Sequence, residues 1–360
     1  MVSIRQGKSV NFLRDSCFMR YRAAVIGATG YVGVEVVRLL VSHPMVEVKY
    51  LCSTHSHMLS DVFFHVDRNR NLLVSQFHDI DFSHVDVVFL CLPHNVSNKV
   101  VVNIPERVKI IDLSADFRIK KLSIYQEWYG KHSAPQLIDS AIYGLTEIYY
   151  EKIKDARLVA CPGCYATSIL IPLIPLVKNN LINTDDIIVD SKSGASGAGR
   201  TLKQESMFCD VNESIKAYNV SHHRHIPEVE QELSFFAKKE NIMLQFTPHL
   251  IPVSRGILSN IYLNLNDEVS VSNVNDILLS FYQDSKFVFV DNDKAVSTKS
   301  VIGTNFCYLG VFSGRRTNSI IVVSVIDNLL KGAAGQAVQN FNIMFSLEES
   351  LALLQMPIYL

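Results

Sequence analysis

No run of apolar residues in this chain approaches the roughly 20 needed to cross a bilayer as a helix. The best candidate, ILIPLIPLV, is short and twice broken by proline, so no membrane association is expected. Nor is there a surplus of charge: 34 Lys and Arg stand against 35 Asp and Glu. Without a basic field the chain has little to draw nucleic acid towards it. A disulfide framework is missing too. The 7 cysteines are odd in number and scattered, and no secretory signal with a long apolar stretch precedes them; a reducing cytoplasm is the expected location. There is no internal repeat and no low-complexity tract.

What is present is a soluble globular composition, 48% hydrophobic and 19% charged over 360 residues. That length suits two domains. The opening residues 1–18 carry Arg5, Lys8 and Arg14 against Asp15, with Arg20 just beyond, and show no strand or helix period. They are read as an extension outside the fold, with Met19 as the working start; a targeting peptide is the alternative.

From residue 22 onward strand-like and helix-like stretches alternate. RAAVIG predicts a buried strand, YVGVEVVRLLVSH has helical spacing of Val32, Val36, Leu39 and Leu40, and EVKYLCS returns as a strand, which makes a βαβ unit. DVVFLCLP, VKIIDLS and RLVACP are further apolar runs of the kind that parallel strands buried on both faces require. After residue 180 the style changes. IMLQFTPHLIPV, RGILSNIYLNLN, TNFCYLGVF and SIIVVSVI alternate as strands, with helices PEVEQELSFFAKKE and VNDILLSFYQDS between them. The fold class is therefore α/β: a doubly wound (Rossmann) dinucleotide-binding domain plus an α+β domain with a mainly antiparallel sheet. The final segment, DNLLKGAAGQAVQNFNIMF, reads as an amphipathic helix of a kind that packs back on the first domain. The expected division is 19–163 with 328–360 for cofactor binding and 164–327 for catalysis and oligomerisation.

The first strand runs directly into GATGYVG, residues 27–33, and then into the helix. Glycines there let the backbone turn sharply and approach a pyrophosphate, whose charge is met by free amides at the helix N-terminus. Order of strand, loop and helix is what gives the pattern weight, because G-x-x-G-x-x-G misses the commoner spacing by one position. The end of the second strand, CSTHSH, carries Ser53, Thr54, His55 and His57 but no carboxylate. An NAD enzyme usually places Asp or Glu there for the ribose 2′-hydroxyl, so NADP(H) is preferred.

CPGC at 161–164 admits three readings: a metal clamp, a redox pair, or one nucleophile with a bystander. No second C-x-x-C and no H-x-x-x-H at finger spacing accompanies it, which argues against metal. A redox dithiol calls for a thioredoxin-like domain rather than a nucleotide fold. Cys164 opens the helical stretch YATSILIPLIPLVKNN, where unsatisfied amides favour a thiolate. The bland alternative is that both cysteines are small buried hydrophobes. Against it stand SKSGASGAGR, 191–200, a strand ending in a glycine-rich loop suited to cradling an oxyanion, and HHRH, which offers His222, His223 and His225 as proton carriers of near-neutral pKa. Taken singly, any one of these histidines is more often a surface or core residue.

Taken in order, GATGYVG, LPH, DLSADFR, YGLTE, CPGCYAT, SGASGAGR, HHRHIPEVEQEL, IPVSRGIL, GTNF and KGAAGQAVQNFN give the chain, over roughly residues 22 to 347, a close resemblance to the N-acetyl-γ-glutamyl-phosphate reductases, relatives of the aspartate-semialdehyde dehydrogenases. The family usually has Asn where this chain has Cys161, which makes the C-x-x-C look accidental. The resemblance implies that Cys164 is the nucleophile and His223 the acid/base, with His225 a rival. It implies that Arg118, Ser196, Gly199, Arg224 and Glu228 hold or orient substrate. It further implies that Gly27, Ala28, Thr29, Gly30, Tyr31, Val32, Gly33, Ser53, Pro93, Ser193, Gly194 and Asn305 line the cofactor. No metal is implied; a small acyl-phosphate substrate, NADP(H) and a homodimer or homotetramer are. The reaction implied is reduction of an acyl phosphate to an aldehyde through a cysteine thioester. Alternatives are a sister reductase acting on aspartyl or aminoadipyl phosphate, or an NADP-binding regulator that does no chemistry.

Overall fold

The structure is a computed structural model that describes residues 20–54, 56–63, 72–202, 204–291 and 296–358. The extension at 1–18, Met19 and His55 lie outside the described residues.

Among the described residues, the N-terminal half builds a mostly parallel sheet of order β3-β4-β2-β1-β5-β6-β8-β7. Its strands are β1 (Tyr21–Ile26), β2 (Val46–Cys52), β3 (His57–Met58), β4 (Leu73–Ser75), β5 (Val87–Leu90), β6 (Lys109–Asp112), β7 (Ile142–Tyr143) and β8 (Leu158–Ala160). The period of two explains how so apolar a strand is used. Ala23 and Val25 of β1, Val87 and Phe89 of β5 and Ile111 of β6 face one core. Ala24 and Ile26, Val88 and Leu90, and Ile110 face the other, so both faces are covered, as parallel sheets demand. Connecting helices are α1 (Tyr31–Val41), α2 (Leu59–Val62), α3 (Ser97–Val100), α4 (Leu122–Tyr129) and α5 (Thr146–Lys154).

The second sheet has order β10-β11-β9-β12-β15-β14-β13. It comprises β9 (Ile187–Gly194), β10 (Lys216–Ala217), β11 (Leu244–Ile251), β12 (Ile257–Asn264), β13 (Val288–Val290), β14 (Cys307–Ser313) and β15 (Ser319–Ile326). The central β9-β12-β15-β14 run is antiparallel, while β11 joins β9 and β13 joins β14 in parallel. α6 (Cys164–Lys178), α8 (Ile226–Ala237) and α9 (Val271–Tyr282) cover one face; the small α7 (Phe208–Val211) lies in the long connection after β9. On β9, Ile187 and Val189 turn inward while Ile188 keeps 41% of its surface exposed. The other face of this sheet is therefore open.

The end of the chain packs back on the first sheet as expected, but not as an amphipathic helix. The helix α10 (Gly335–Met344) is buried on every side and not amphipathic. Ala337, Val338, Phe341 and Met344 join the core of the parallel sheet. Its amide N–H groups donate within the protein: Gln336 and Asn340 to Gly144 O, at 2.8 and 2.9 Å, Asn342 to Glu349 O at 3.0 Å, and Gln339 to the Glu147 and Glu349 carboxylates. Buried donors are tolerable on those terms.

Candidate active site

The C-terminal edges of β1, β5, β6 and β8 meet the glycine-rich end of β9 and the loop before α8. Between them lies a cleft of about 350 Å³, lined by Arg118, Cys164, Ser193, Gly194, Lys216, His223, Arg224 and His225 among others. Among the described residues none of those lining it is Asp or Glu. The cleft thus offers cations and no competing carboxylate, which suits a dianionic ligand.

Cys164 is the first residue of α6, with Gly163 as its N-cap in extended conformation. Beneath it is a buried ionic network. Glu228, 1% exposed, accepts from Gly163 N–H at 2.8 Å and from the Tyr143 hydroxyl at 2.7 Å. Its second oxygen pairs with Arg118 Nη1 at 3.3 Å. Arg118 also donates from Nε to Cys161 O at 2.7 Å and from Nη2 to Leu113 O at 3.0 Å. Burial works against the Arg118 charge, but Glu228, Tyr129, Tyr143 and Asp112 together outweigh it and the guanidinium is held firmly protonated. Glu228 therefore orients the residues around the sulfur from below and does not open onto the cleft, where the sequence reading allowed substrate contact.

The thiolate expected at this helix terminus meets an opposing effect. Burial pushes the Cys164 thiol up to about 11; the Tyr165 amide and the Arg118 charge pull it down, and Glu228 pushes it further up. The helix terminus acts in the direction foreseen, yet protein atoms crowd the sulfur enough that desolvation wins. The residue is still partly reachable from the cleft.

The histidines divide. His222 is exposed, with its ring 6.1 Å from that of Trp128. His223 Nδ1 accepts from His225 N–H at 3.1 Å, which assigns its proton to Nε2 when the ring is neutral. Burial drives its pKa down to about 2, helped by His225 and Arg224, where the sequence suggested a value near neutrality. His225 is lowered as well, by burial and then by Arg118 and Arg224. Its ring lies on Gly163: a Cβ there would stand 2.4 Å from His225 Nε2. Its Nδ1 is buried without a hydrogen-bond partner. Burial keeps both rings neutral, so a proton arriving from sulfur would place charge on a group already desolvated.

Arg224 reaches across the mouth to the His94 ring at 2.9 Å and has its carbonyl held by the Tyr129 hydroxyl at 2.8 Å. The LPH turn carrying Pro93 and His94 is fixed from below by Asp116, which accepts from Asn95 N–H at 2.8 Å and Asn98 N–H at 2.9 Å. Pro93 itself is exposed at the sheet edge.

At the glycine loop the residues fit a dinucleotide. Gly27 has φ +87, and a Cβ on it would lie 2.3 Å from Cys91 O; one on Gly33 would lie 2.1 Å from Gly27 O. Only glycine permits that closeness. Gly30 caps α1, no acidic residue stands in its first turn, and Val34 is the first to bond back, onto Gly30 O at 2.9 Å. The amides of Tyr31, Val32 and Gly33 are thus left for an anion, beside Ala28 and Thr29. Ser53 follows β2, whose Cys52 O receives the Gly27 and Ala28 amides. Arg200 adds a cation at this loop through Nη1 to Thr29 O at 3.1 Å, a contact nothing in the sequence pattern foretold.

Ser193 and Gly194 open onto the cleft. Ser196 and Gly199 do not: the 3-10 turn Ala195–Ala198 turns Gly197 and Ala198 inward, while Ser196 Oγ accepts from Asn328 at 2.9 Å. Asn305 also stands away from the cleft, 1% exposed beneath Gly335, with Nδ2 on Gln339 at 2.8 Å. Sequence reasoning missed Lys216 and Tyr129, which sit in no motif, and Tyr165, whose place in CPGCYAT was the available signal. Among the described residues no group of His, Cys, Asp and Glu is placed to hold a metal ion, and no helix is long and apolar enough to cross a membrane.

Comparison with known proteins adds to this geometry. The chain matches the semialdehyde dehydrogenase NAD binding domain over residues 22–156 and the semialdehyde dehydrogenase dimerisation domain over 164–328. It is 60% identical to the N-acetyl-γ-glutamyl-phosphate reductase of Ehrlichia canis over 339 residues, 93% of this chain and 98% of that one. To the same enzyme of Alkaliphilus metalliredigens it is 47% identical over 347 residues, 94% and 99% of the two chains. Aspartate semialdehyde dehydrogenase II of Vibrio cholerae shares the fold at TM-score 0.68 and 16% identity, over 91% of this chain and 99% of its own. The Candida albicans aspartate semialdehyde dehydrogenase, solved with NADP, shares it at TM-score 0.68 and 16% identity, over 91% and 98%.

Proposed function

The chain belongs to the N-acetyl-γ-glutamyl-phosphate reductase family of semialdehyde dehydrogenases, and from that premise we propose that its cleft reduces N-acetyl-γ-glutamyl phosphate to the semialdehyde, releasing phosphate. The observation that carries this reading is one sulfur, Cys164, at the end of a cleft lined by cations and neutral imidazoles. Arg118 and Arg224, with Lys216, attract the acyl phosphate and hold its charge next to the sulfur. Because the resting thiol is protonated, attack on the acyl carbon needs a proton acceptor, and the charge of the acyl phosphate beside the His223–His225 pair raises the affinity of those buried rings for the proton. Phosphate leaves and a thioester remains on Cys164. Bound NADPH supplies the hydride that takes the thioester to the aldehyde level. His223 gives the oxyanion, through Nε2, the proton that the histidine pair took from sulfur; the carbon–sulfur bond then breaks, the hydroxyl proton returns to sulfur, and the aldehyde leaves with the thiol restored. The loop 27–33, Ser53, Pro93, Ser193 and Gly194 hold the coenzyme.

Residues 19–163 with 328–360 act as the coenzyme-binding unit and 164–327 as the catalytic and oligomerisation unit. The open sheet face, where Ile188, Tyr262 and Phe289 keep 41%, 39% and 38% of their surface exposed, joins a second copy into a homodimer, two of which can pair as a homotetramer. The cytoplasm is the proposed location, where the cysteines that are free among the described residues stay reduced. Coenzyme oxidation should be followed with N-acetylglutamyl phosphate and with aspartyl phosphate, for the native chain and Cys164→Ser. Turnover of the first substrate only, lost in the variant while NADPH still binds, is expected. Turnover by the variant would sink the assignment of the sulfur.

A further inference from the structure

Between β15 and α10 the chain does not pass through a simple loop: Leu330–Ala334 forms a π-turn. Gly332 N–H donates to Asp327 O at 2.9 Å and Ala334 N–H to Leu329 O at 2.9 Å, and the Gly335 amide reaches Leu330 O. Each bond spans five residues. Such turns are wider and less favourable than α-helix, and short stretches of them gather at functional sites. This one is anchored twice. Asp327, with no exposed surface, accepts from Gly303 N–H and Leu329 N–H, each at 2.8 Å. Lys331, also without exposed surface, donates to Glu147 at 2.5 Å and Gln339 at 2.8 Å. Fixed on both sides, the turn presents Gly332 to the nucleophile. A Cβ on Gly332 would lie 2.8 Å from Cys164 Cβ and 3.3 Å from Cys164 Cα, where carbons pack at about 3.5–4.0 Å. Neither carbon can rotate aside, because both are set by the backbone of the first residue of α6.

We infer that the π-turn is a positioning device for the nucleophile, with Gly332 as the residue through which it acts. The widened turn brings a residue without a side chain flush against Cys164 and so sets where the sulfur stands in the cleft. Lys331 and Asp327 keep the turn from relaxing away. The inference rests on Cys164 being the nucleophile.

The test uses the full chain carrying Gly332→Ala. NADPH affinity is read by fluorescence, kcat and KM by coenzyme oxidation, and alkylation of Cys164 by iodoacetamide as a function of pH, with the labelled peptide identified by mass. The variant should bind NADPH within about twofold of the native chain and keep its KM. Its kcat should fall about 100-fold, the cost of misplacing a reacting atom by about 1 Å, and the alkylation profile should move. A purely structural role would not shift that profile. Native kcat and native alkylation in Gly332→Ala, beside an inactive Cys164→Ser, would overturn the inference and leave the proposed function standing. An active Cys164→Ser would remove its premise instead. If Gly332→Ala no longer binds NADPH, Ala333→Gly loosens the turn without adding an atom; a kcat reduced about threefold or more at unchanged affinity supports the inference, and an unchanged kcat refutes it.

Discussion

Replacing Glu228 by Gln tests the ionic network under the cleft. The side chain is 1% exposed and its Arg118 partner 7%, so the pair is desolvated on both sides. Gln keeps an oxygen for Gly163 N–H and the Tyr143 hydroxyl, which are 2.8 and 2.7 Å away, but turns an amide donor towards the Arg118 Nη1 that Glu228 meets at 3.3 Å. Removing one member of a buried pair costs about 3–5 kcal/mol, because the remaining charge is left uncompensated. Domains commonly hold only about 5–15 kcal/mol in all. Taking the lower figure and roughly 2–4 °C per kcal/mol, Tm should fall by about 6–12 °C. The same change removes a negative charge that pushes the Cys164 thiol up and leaves the Arg118 charge that pulls it down. Alkylation of Cys164 should therefore reach its midpoint at lower pH than in the native chain. Thermal unfolding and the pH dependence of alkylation are the two measurements. The double variant Arg118→Met with Glu228→Gln should recover much of the lost stability, since no lone charge then stays buried. A native Tm with a native alkylation profile in Glu228→Gln would refute the network as drawn.

Asp112 is fully buried, and burial raises its carboxyl to about 6, with Asp116 adding to the effect and Ser114 opposing it. Between the unfolded value near 4 and about 6 the folded state binds more protons than the unfolded one, so this group lowers stability as pH rises through that window. Asp112→Asn should accordingly gain about 2–3 kcal/mol at pH 8 and little at pH 4, read from urea midpoints; equal gains at both would refute the cause. Gly33→Ala would put a Cβ 2.1 Å from Gly27 O, and NADPH affinity by fluorescence should weaken about tenfold or more as the loop shifts. Native affinity would show that the loop does not cradle the coenzyme.

Legibility in the sequence followed the range of the interactions. The strands β1, β5 and β6 were plain because their alternating neighbours serve two cores, and a run such as Val87–Leu90 has no polar residue to mislead. The Gln and Asn residues of α10 look like a wet face, whereas Gln336 and Asn340 bond to Gly144 backbone from far along the chain and Asn342 to Glu349 backbone in the segment that follows. Cys164 and the histidines could be picked out by their place beside a helix start and in a cluster. Their protonation could not, since desolvation depends on what the fold packs around them.

The sequence by itself determined the alternation of elements, the glycine loop before α1 and the sulfur at the head of α6, because each depends on residues within a few positions of one another. Tertiary structure alone decided that Glu228 lies under Gly163, that Arg200 reaches the loop at Thr29, that Asn305 faces away from the cleft, and that Gly332 abuts Cys164. These contacts join segments distant in the chain, and only the assembled fold fixes which of their atoms touch.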